Sequence, residues 1–82
     1  MWYVYILKSN KDKRFYTGIT ENVDRRLKQH NLGSKATKST LGRGPFILIF
    51  VQECKDRKDA RLLEKFLKSG IGREIRNELF NN

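Results

Sequence analysis

Apolar positions fall into two kinds of run along the chain. Residues 2 to 7, WYVYIL, are aromatic and β-branched, and after the polar KSNKDKR a second extended run, FYTGI, follows at 15 to 19. Both compositions favour pleated backbone, so the pair predicts a β-hairpin with its turn at Asn10 to Arg14. From Asn22 the period lengthens. Asn22 can cap a helix whose apolar positions Val23 and Leu27 are spaced i, i+4, continuing to Leu32 and stopped by Gly33. Residues 33 to 45, GSKATKSTLGRGP, have the glycine, proline and hydroxyl content of an exposed loop. The run FILIFVQE, 46 to 53, is continuously apolar at first, as in a strand buried on both faces, and is expected to pair centrally or beside the hairpin. Asp56 then caps a helix through Lys68, with Ala60, Leu63 and Leu67 on one face and Gly70 as its left-handed stop. A last short helix carries Ile71, Ile75 and Leu79 at i, i+4, i+8. The order β-β-α-β-α-α predicts an α+β fold, a small three-stranded antiparallel sheet with helices on one or both faces.

Composition narrows this further. The 82 residues read as one domain, 1–82, and a hydrophobic fraction of 38% with nine aromatics (11%) is enough for a compact core. Cys54 has no second cysteine to pair with and ends the apolar run FILIFVQEC, so it reads as a small buried hydrophobe in a reducing, cytoplasmic setting. The opening MWYVYIL has no preceding positive region and Lys8 ends it well short of a membrane span, so no export or membrane segment is expected.

Charge points to the partner. Eighteen Lys and Arg against nine Asp and Glu give a net charge of +9 and a pI near 10.1, which suits a polyanion. Residues 1 to 44 hold ten basic and three acidic residues, whereas residues 45 to 82 hold eight and six. Between Arg25 and Gln52 there are six basic residues and no carboxylate, which makes Arg25, Lys28, Lys35, Lys38 and Arg43 candidates for lying along phosphates. A solvated basic face that serves solubility would have the same composition.

The motifs then resemble a family. YVY (3 to 5), ten intervening residues, YTG (16 to 18), NVDRRLKQH (22 to 30) and a later helix with Glu64 resemble the GIY-YIG nuclease domain, found also at the N-terminus of the bacterial repair excinuclease. The similarity is greatest to its small standalone bacterial members and extends through GPFILIF and EKFLKSGIGRE. It implies a divalent-metal-dependent endonuclease that hydrolyses phosphodiester bonds, in DNA rather than RNA, of the repair or recombination type.

By that resemblance Tyr5 and Tyr16 lie near the active site, and Tyr16 helps deprotonate the attacking water. A phenol titrates near 10, so service as a base at pH 7 asks for roughly 4 kcal/mol of help from positive charge or metal. Tyr3 and Tyr5 share a strand face, and hairpin pairing can bring Tyr16 to it. Tyrosines also simply favour strands. Arg26 matches the family's helix arginine, whose planar fork suits two phosphate oxygens; Arg25 matches less well. His30, at i+4 from Arg26, shares its face and stands where some relatives carry another tyrosine, so it serves either a water or phosphate contact or a structural role. Glu64 corresponds to the family's ligand for one Mg²⁺ or Mn²⁺, although its spacing equally suits a surface pair with Lys68. Gly18 permits a close backbone approach or a positive φ, and Thr20 can donate to phosphate or cap locally.

There are departures. Tyr3 replaces the motif's glycine and Thr17 its isoleucine, as in the standalone subgroup, and Ile19 stands where repair-incision relatives carry a lysine. No second binding domain is expected, so selectivity would come from loop 33–45, from a protein partner, or be low. The competing reading is a basic nucleic-acid-binding module with the nuclease fold and little cleavage. A helix-turn-helix in EKFLKSGIGREIRNEL ranks last, because Glu74 and Glu78 share its final helix with Arg73 and Arg76.

Overall fold

The computed structural model describes residues 1–32 and 44–80. Three strands, β1 (Trp2–Ser9), β2 (Phe15–Thr20) and β3 (Phe46–Cys54), form one antiparallel sheet in the order β2-β1-β3. Helices α1 (Val23–Leu32), α2 (Arg57–Lys68) and α3 (Gly70–Phe80) complete the expected α+β order.

Strand alternation distributes the core to two sides of β1. Val4 and Ile6 pack with Ala60 and Leu67 of α2, and Phe80 of α3 joins them. Tyr5 and Leu7 pack with Phe46, and Leu27 brings α1 onto that side. Val4, Ile6 and Leu7 are at most 1% exposed, so each contributes about 1.5 to 3 kcal/mol through burial of its side chain.

The strand covered on both faces is therefore β1, not β3. Ile47 and Val51 of β3 are about half exposed, because β3 pairs beside the hairpin and forms an edge. Its unbroken apolar run has a different cause. The β1–β3 register shifts between Ile6 and Leu7, which oppose Phe50 and Leu48, so Ile49 is an extra residue. This bulge breaks alternation and sends both Ile49 and Phe50 toward the α2 side. Cys54, expected to be buried, is half-buried at the rim of that cluster.

Ser9 organises the hairpin turn. Its side chain is fully buried, and its Oγ accepts from the backbone N–H of Lys11 (3.1 Å) and Asp12 (3.2 Å). Lys13 then takes a positive φ of 62°, closing the turn toward Arg14. Both expected N-caps form: Asn22 Oδ1 accepts from Arg25 N (3.0 Å), and Asp56 Oδ1 from Asp59 N (2.9 Å). At the far end of α1, the Asn31 side chain accepts from Phe46 N at 2.7 Å and ties the helix to the start of β3. Gly33, the expected stop of α1, lies outside the described residues, as do Lys35, Lys38 and Arg43.

Gly70 is not the left-handed stop of α2. Ser69 ends that helix in extended backbone (φ −73°, ψ 168°), donates its N–H to Phe66 O, and accepts from Gly72 N at 3.2 Å. A serine that ends one helix and caps the next removes the need for a left-handed residue, and Gly70 simply begins α3. Gly72 is the glycine that matters at this corner. A Cβ there would overlap the Phe66 carbonyl and stand 2.7 Å from Leu67 Cα, so α3 leaves α2 in backbone contact. No described helix is long and apolar enough to cross a membrane.

The two glycines make opposite predictions. Gly72→Ala should destabilise the chain by about 1 to 3 kcal/mol, since backbone cannot give way as a side chain does. Gly70→Ala meets no atom within 4 Å and should be neutral or stabilise by up to about 1 kcal/mol. Urea unfolding of both variants checks the pair.

Candidate active site at the sheet edge

β2 is an edge strand, and a cleft of about 400 Å³ lies beside it. Tyr5 reaches the cleft from the central strand because its cross-strand neighbour is Gly18. A Cβ at Gly18 would stand 2.5 Å from the Tyr5 hydroxyl and 2.7 Å from Cζ, so the missing side chain is the space the phenol occupies. Of the two readings of Gly18, close approach is the one its geometry meets, and the approach is to Tyr5.

Helix α1 supplies the partners of that phenol. Arg26 Nε donates to Tyr5 OH at 3.4 Å, and His30 Nε2 lies 3.0 Å from the same oxygen. Burial, with the Arg26 charge beside it, lowers the His30 pKa to about 4, so the imidazole is neutral at pH 7. Burial also raises the Tyr5 pKa above its usual value, against the opposing pull of Arg26, so the phenol keeps its proton. A guanidinium only donates, which leaves the Tyr5 hydroxyl free to donate to Nε2 of a histidine protonated on Nδ1. Arg26 Nη1 also donates to Gln29 Oε1 at 3.1 Å.

Tyr16 enters from β2 itself. Its ring meets Phe46 edge-on, with centroids 5.3 Å apart at 89°, and Phe46 in turn meets His30 at 5.9 Å. Such edge-to-face pairs add about 0.5 to 1.5 kcal/mol beyond area burial. The Tyr16 hydroxyl donates to Asp12 Oδ2 at 3.2 Å, which attaches it to the hairpin turn.

The opposite wall comes from the other helical layer. Glu64 of α2 lines the cleft with its side chain 12% exposed, pairing with Lys68 at 3.2 Å and Arg61 at 4.0 Å. The surface-pair geometry expected from spacing thus coexists with a place in the cleft. Among the described residues, Glu64 is the carboxylate that lines this cleft, and no three His, Cys, Asp or Glu side chains group around a potential metal position. One carboxylate fits a hard divalent cation whose remaining ligands are waters and substrate oxygens, and does not fit an all-protein cage.

Tyr5, Tyr16, Arg26, His30 and Glu64 therefore line one cleft, although they come from four elements. Arg25 and Lys28 do not line it; both are exposed on α1. Thr20 takes its local role, exchanging hydrogen bonds with the Asn22 backbone at 3.1 and 3.2 Å. Lys68, Arg73 and Arg76 in the cleft, and Asp12 through Tyr16, join the site with no motif in the sequence to mark them. Arg73 and Arg76 line the cleft from α3, and Ile19 faces the same space. Their i, i+3 spacing was visible but masked by the glutamates on the same helix, while the role of Asp12 arises from turn geometry.

The residues of the motifs thus meet in one cleft beside an edge strand. Residues 1–76 match the GIY-YIG catalytic domain, and the chain belongs to this nuclease-domain family. Within it the relatives are UPF0213 proteins. That of Clostridium perfringens is 44% identical over 68 residues, covering 83% of this chain and 71% of its own length. That of Desulfotalea psychrophila is 39% identical over 67 residues, covering 82% of this chain and 60% of its own, so the chain spans about three fifths of that relative. The solution NMR structure of the UPF0213 protein from Bacillus halodurans superposes with a TM-score of 0.56 at 40% identity, covering 98% of this chain and 86% of that one.

His30 generates a pH prediction. Its folded pKa lies below the unfolded value, so the stability it contributes is fully present above about pH 6.5 and is lost as pH falls toward 4. The loss should reach up to about 3 kcal/mol. In His30→Gln this component should vanish, so the stability difference between wild type and variant narrows across that window. Urea unfolding at a series of pH values measures it.

Proposed function

We propose that the chain is a divalent-metal-dependent endonuclease that hydrolyses phosphodiester bonds in DNA by water attack in a single displacement. The observation that carries this reading is the convergence of Tyr5, Tyr16, Arg26, His30 and Glu64 on one cleft.

Arg26 clamps two oxygens of the scissile phosphate and stabilises the charge that grows on them as water adds. Tyr16 takes up the water proton as it passes its own to Asp12, 3.2 Å away; the water oxygen bonds to phosphorus, and the bond from phosphorus to the 3′ oxygen breaks, the leaving oxygen taking a proton from solvent. Tyr5 holds Arg26 and His30 in place through the hydrogen bonds it shares with both. His30, neutral at pH 7, pairs with Tyr5 through Nε2 and helps to fix the groups around the water. Glu64 would hold Mg²⁺ or Mn²⁺, which when bound polarises the phosphate and neutralises the leaving oxygen.

A second reading, a binding module with little cleavage, draws on the pairing of Glu64 with Lys68 and Arg61, which compete for its carboxylate. Labelled single-stranded, duplex and branched DNA and RNA, incubated with Mg²⁺ or Mn²⁺, separate the two. Cleavage should fall by about 10² to 10⁴ in Tyr16→Phe, be lost in Glu64→Gln, and stop with chelator. Binding without cleavage of any substrate would establish the binding module instead, and equal cleavage by the variants would overturn the roles given to Tyr16 and Glu64.

A further inference from the structure

The cleft does not end at the catalytic residues. Arg73, Arg76 and Phe15 line it and also line a second groove of about 460 Å³, completed by Lys13 and Arg14 of the hairpin turn and by Asn77. Four cations thus face a space bordered by no carboxylate, and among the described residues none of the four is ion-paired. Like charges gathered without a counter-charge repel, and an anion between them relieves that.

Helix geometry separates the charges of α3. Arg73, Arg76 and Asn77, at i, i+3, i+4, share the face toward β2, whereas Glu74 and Glu78 line neither groove. The acidic residues that argued against this helix from sequence are therefore directed elsewhere. Arg76 is the junction. Its guanidinium carbon lies 4.6 Å from the Phe15 ring centroid, and its Nε is buried without a hydrogen-bond partner. Burial and the neighbouring Arg73 charge both push its pKa below the usual value, which an incoming anion would reverse.

We propose that the groove between α3 and the β1–β2 turn is a second phosphate subsite, holding the sugar-phosphate backbone of a nucleic acid next to the phosphate in the cleft. It rests on the nucleic-acid reading of the cleft but not on cleavage. Arginine forks match phosphate oxygens in pairs, and the continuity of the two grooves through Arg76 lets one strand occupy both.

The test is fluorescence anisotropy with a fluorescein-labelled DNA single strand and its duplex, in chelator, over a series of KCl concentrations. The Arg73→Gln/Arg76→Gln double variant should reduce the slope of log affinity against log salt by about 0.7 to 0.9 per arginine. Arg14→Gln, on the exposed turn, should reduce it by about the single-residue amount and tests the subsite without disturbing α3. Lys58→Gln/Lys65→Gln removes equal charge from exposed positions on α2 outside both grooves and should leave the slope nearly unchanged. Equal losses in the groove and control variants, an unchanged slope in Arg14→Gln, or no binding by wild type would each overturn the proposal. Binding that follows the expected pattern, with no cleavage when metal is supplied, would leave the subsite standing and sink the nuclease reading alone.

Discussion

Everything in this fold depends on burying β1 from both sides. A strand alternates its side chains, so a central strand with cover on one face only would leave Val4 and Ile6, or Tyr5 and Leu7, in water. Two helical layers result, α1 against one face and α2 with α3 against the other. The layers are small, and the principal axes of the molecule measure 30 × 29 × 16 Å. With so little depth, groups from opposite layers can meet only by reaching past the edge of the sheet.

That constraint explains the composition of the cleft. Arg26 and His30 come from one layer, Glu64, Arg73 and Arg76 from the other, and β2 is the strand they pass. Tyr5 reaches them from the centre through the gap over Gly18. The layers also differ electrostatically. Where they border the cleft, the α1 side is a buried network in which histidine and phenol are both neutral, and the α2–α3 side sets Lys68, Arg73 and Arg76 around Glu64.

Most of the fold was legible because the elements obey local rules. The aromatic hairpin, the caps at Asn22 and Asp56 and the order of elements follow from propensity and hydrogen-bonding capacity within a few residues. The bulge at Ile49 was not legible, since an unbroken apolar run looks the same whether it is buried on two faces or interrupts its own alternation. Gly70 failed for a related reason: either Gly70 or Ser69 can terminate a helix, and the backbone approach at Gly72 decides the corner. For the site, Tyr5, Tyr16, Arg26, His30 and Glu64 were identified by motif, but their neighbours Asp12, Arg73 and Arg76 depend on how the turn and α3 fold back. Arg25 and Lys28 lie exposed on α1 outside the cleft, a direction that charge along a sequence does not encode.

Among the described residues no strand pairs with the outer edge of β2, and this bears on how copies of the chain behave toward one another. An edge strand offers unpaired amides and carbonyls to any extended segment that approaches it, and proteins commonly deter such pairing with charge. Here Arg73 and Arg76 stand against that edge, so another copy docking strand to strand would bring a second set of the same cations into contact with the first. The opposite edge, β3, carries the bulge, which twists a strand out of register with a would-be neighbour. The cations that border the cleft therefore also discourage growth of the sheet by self-addition.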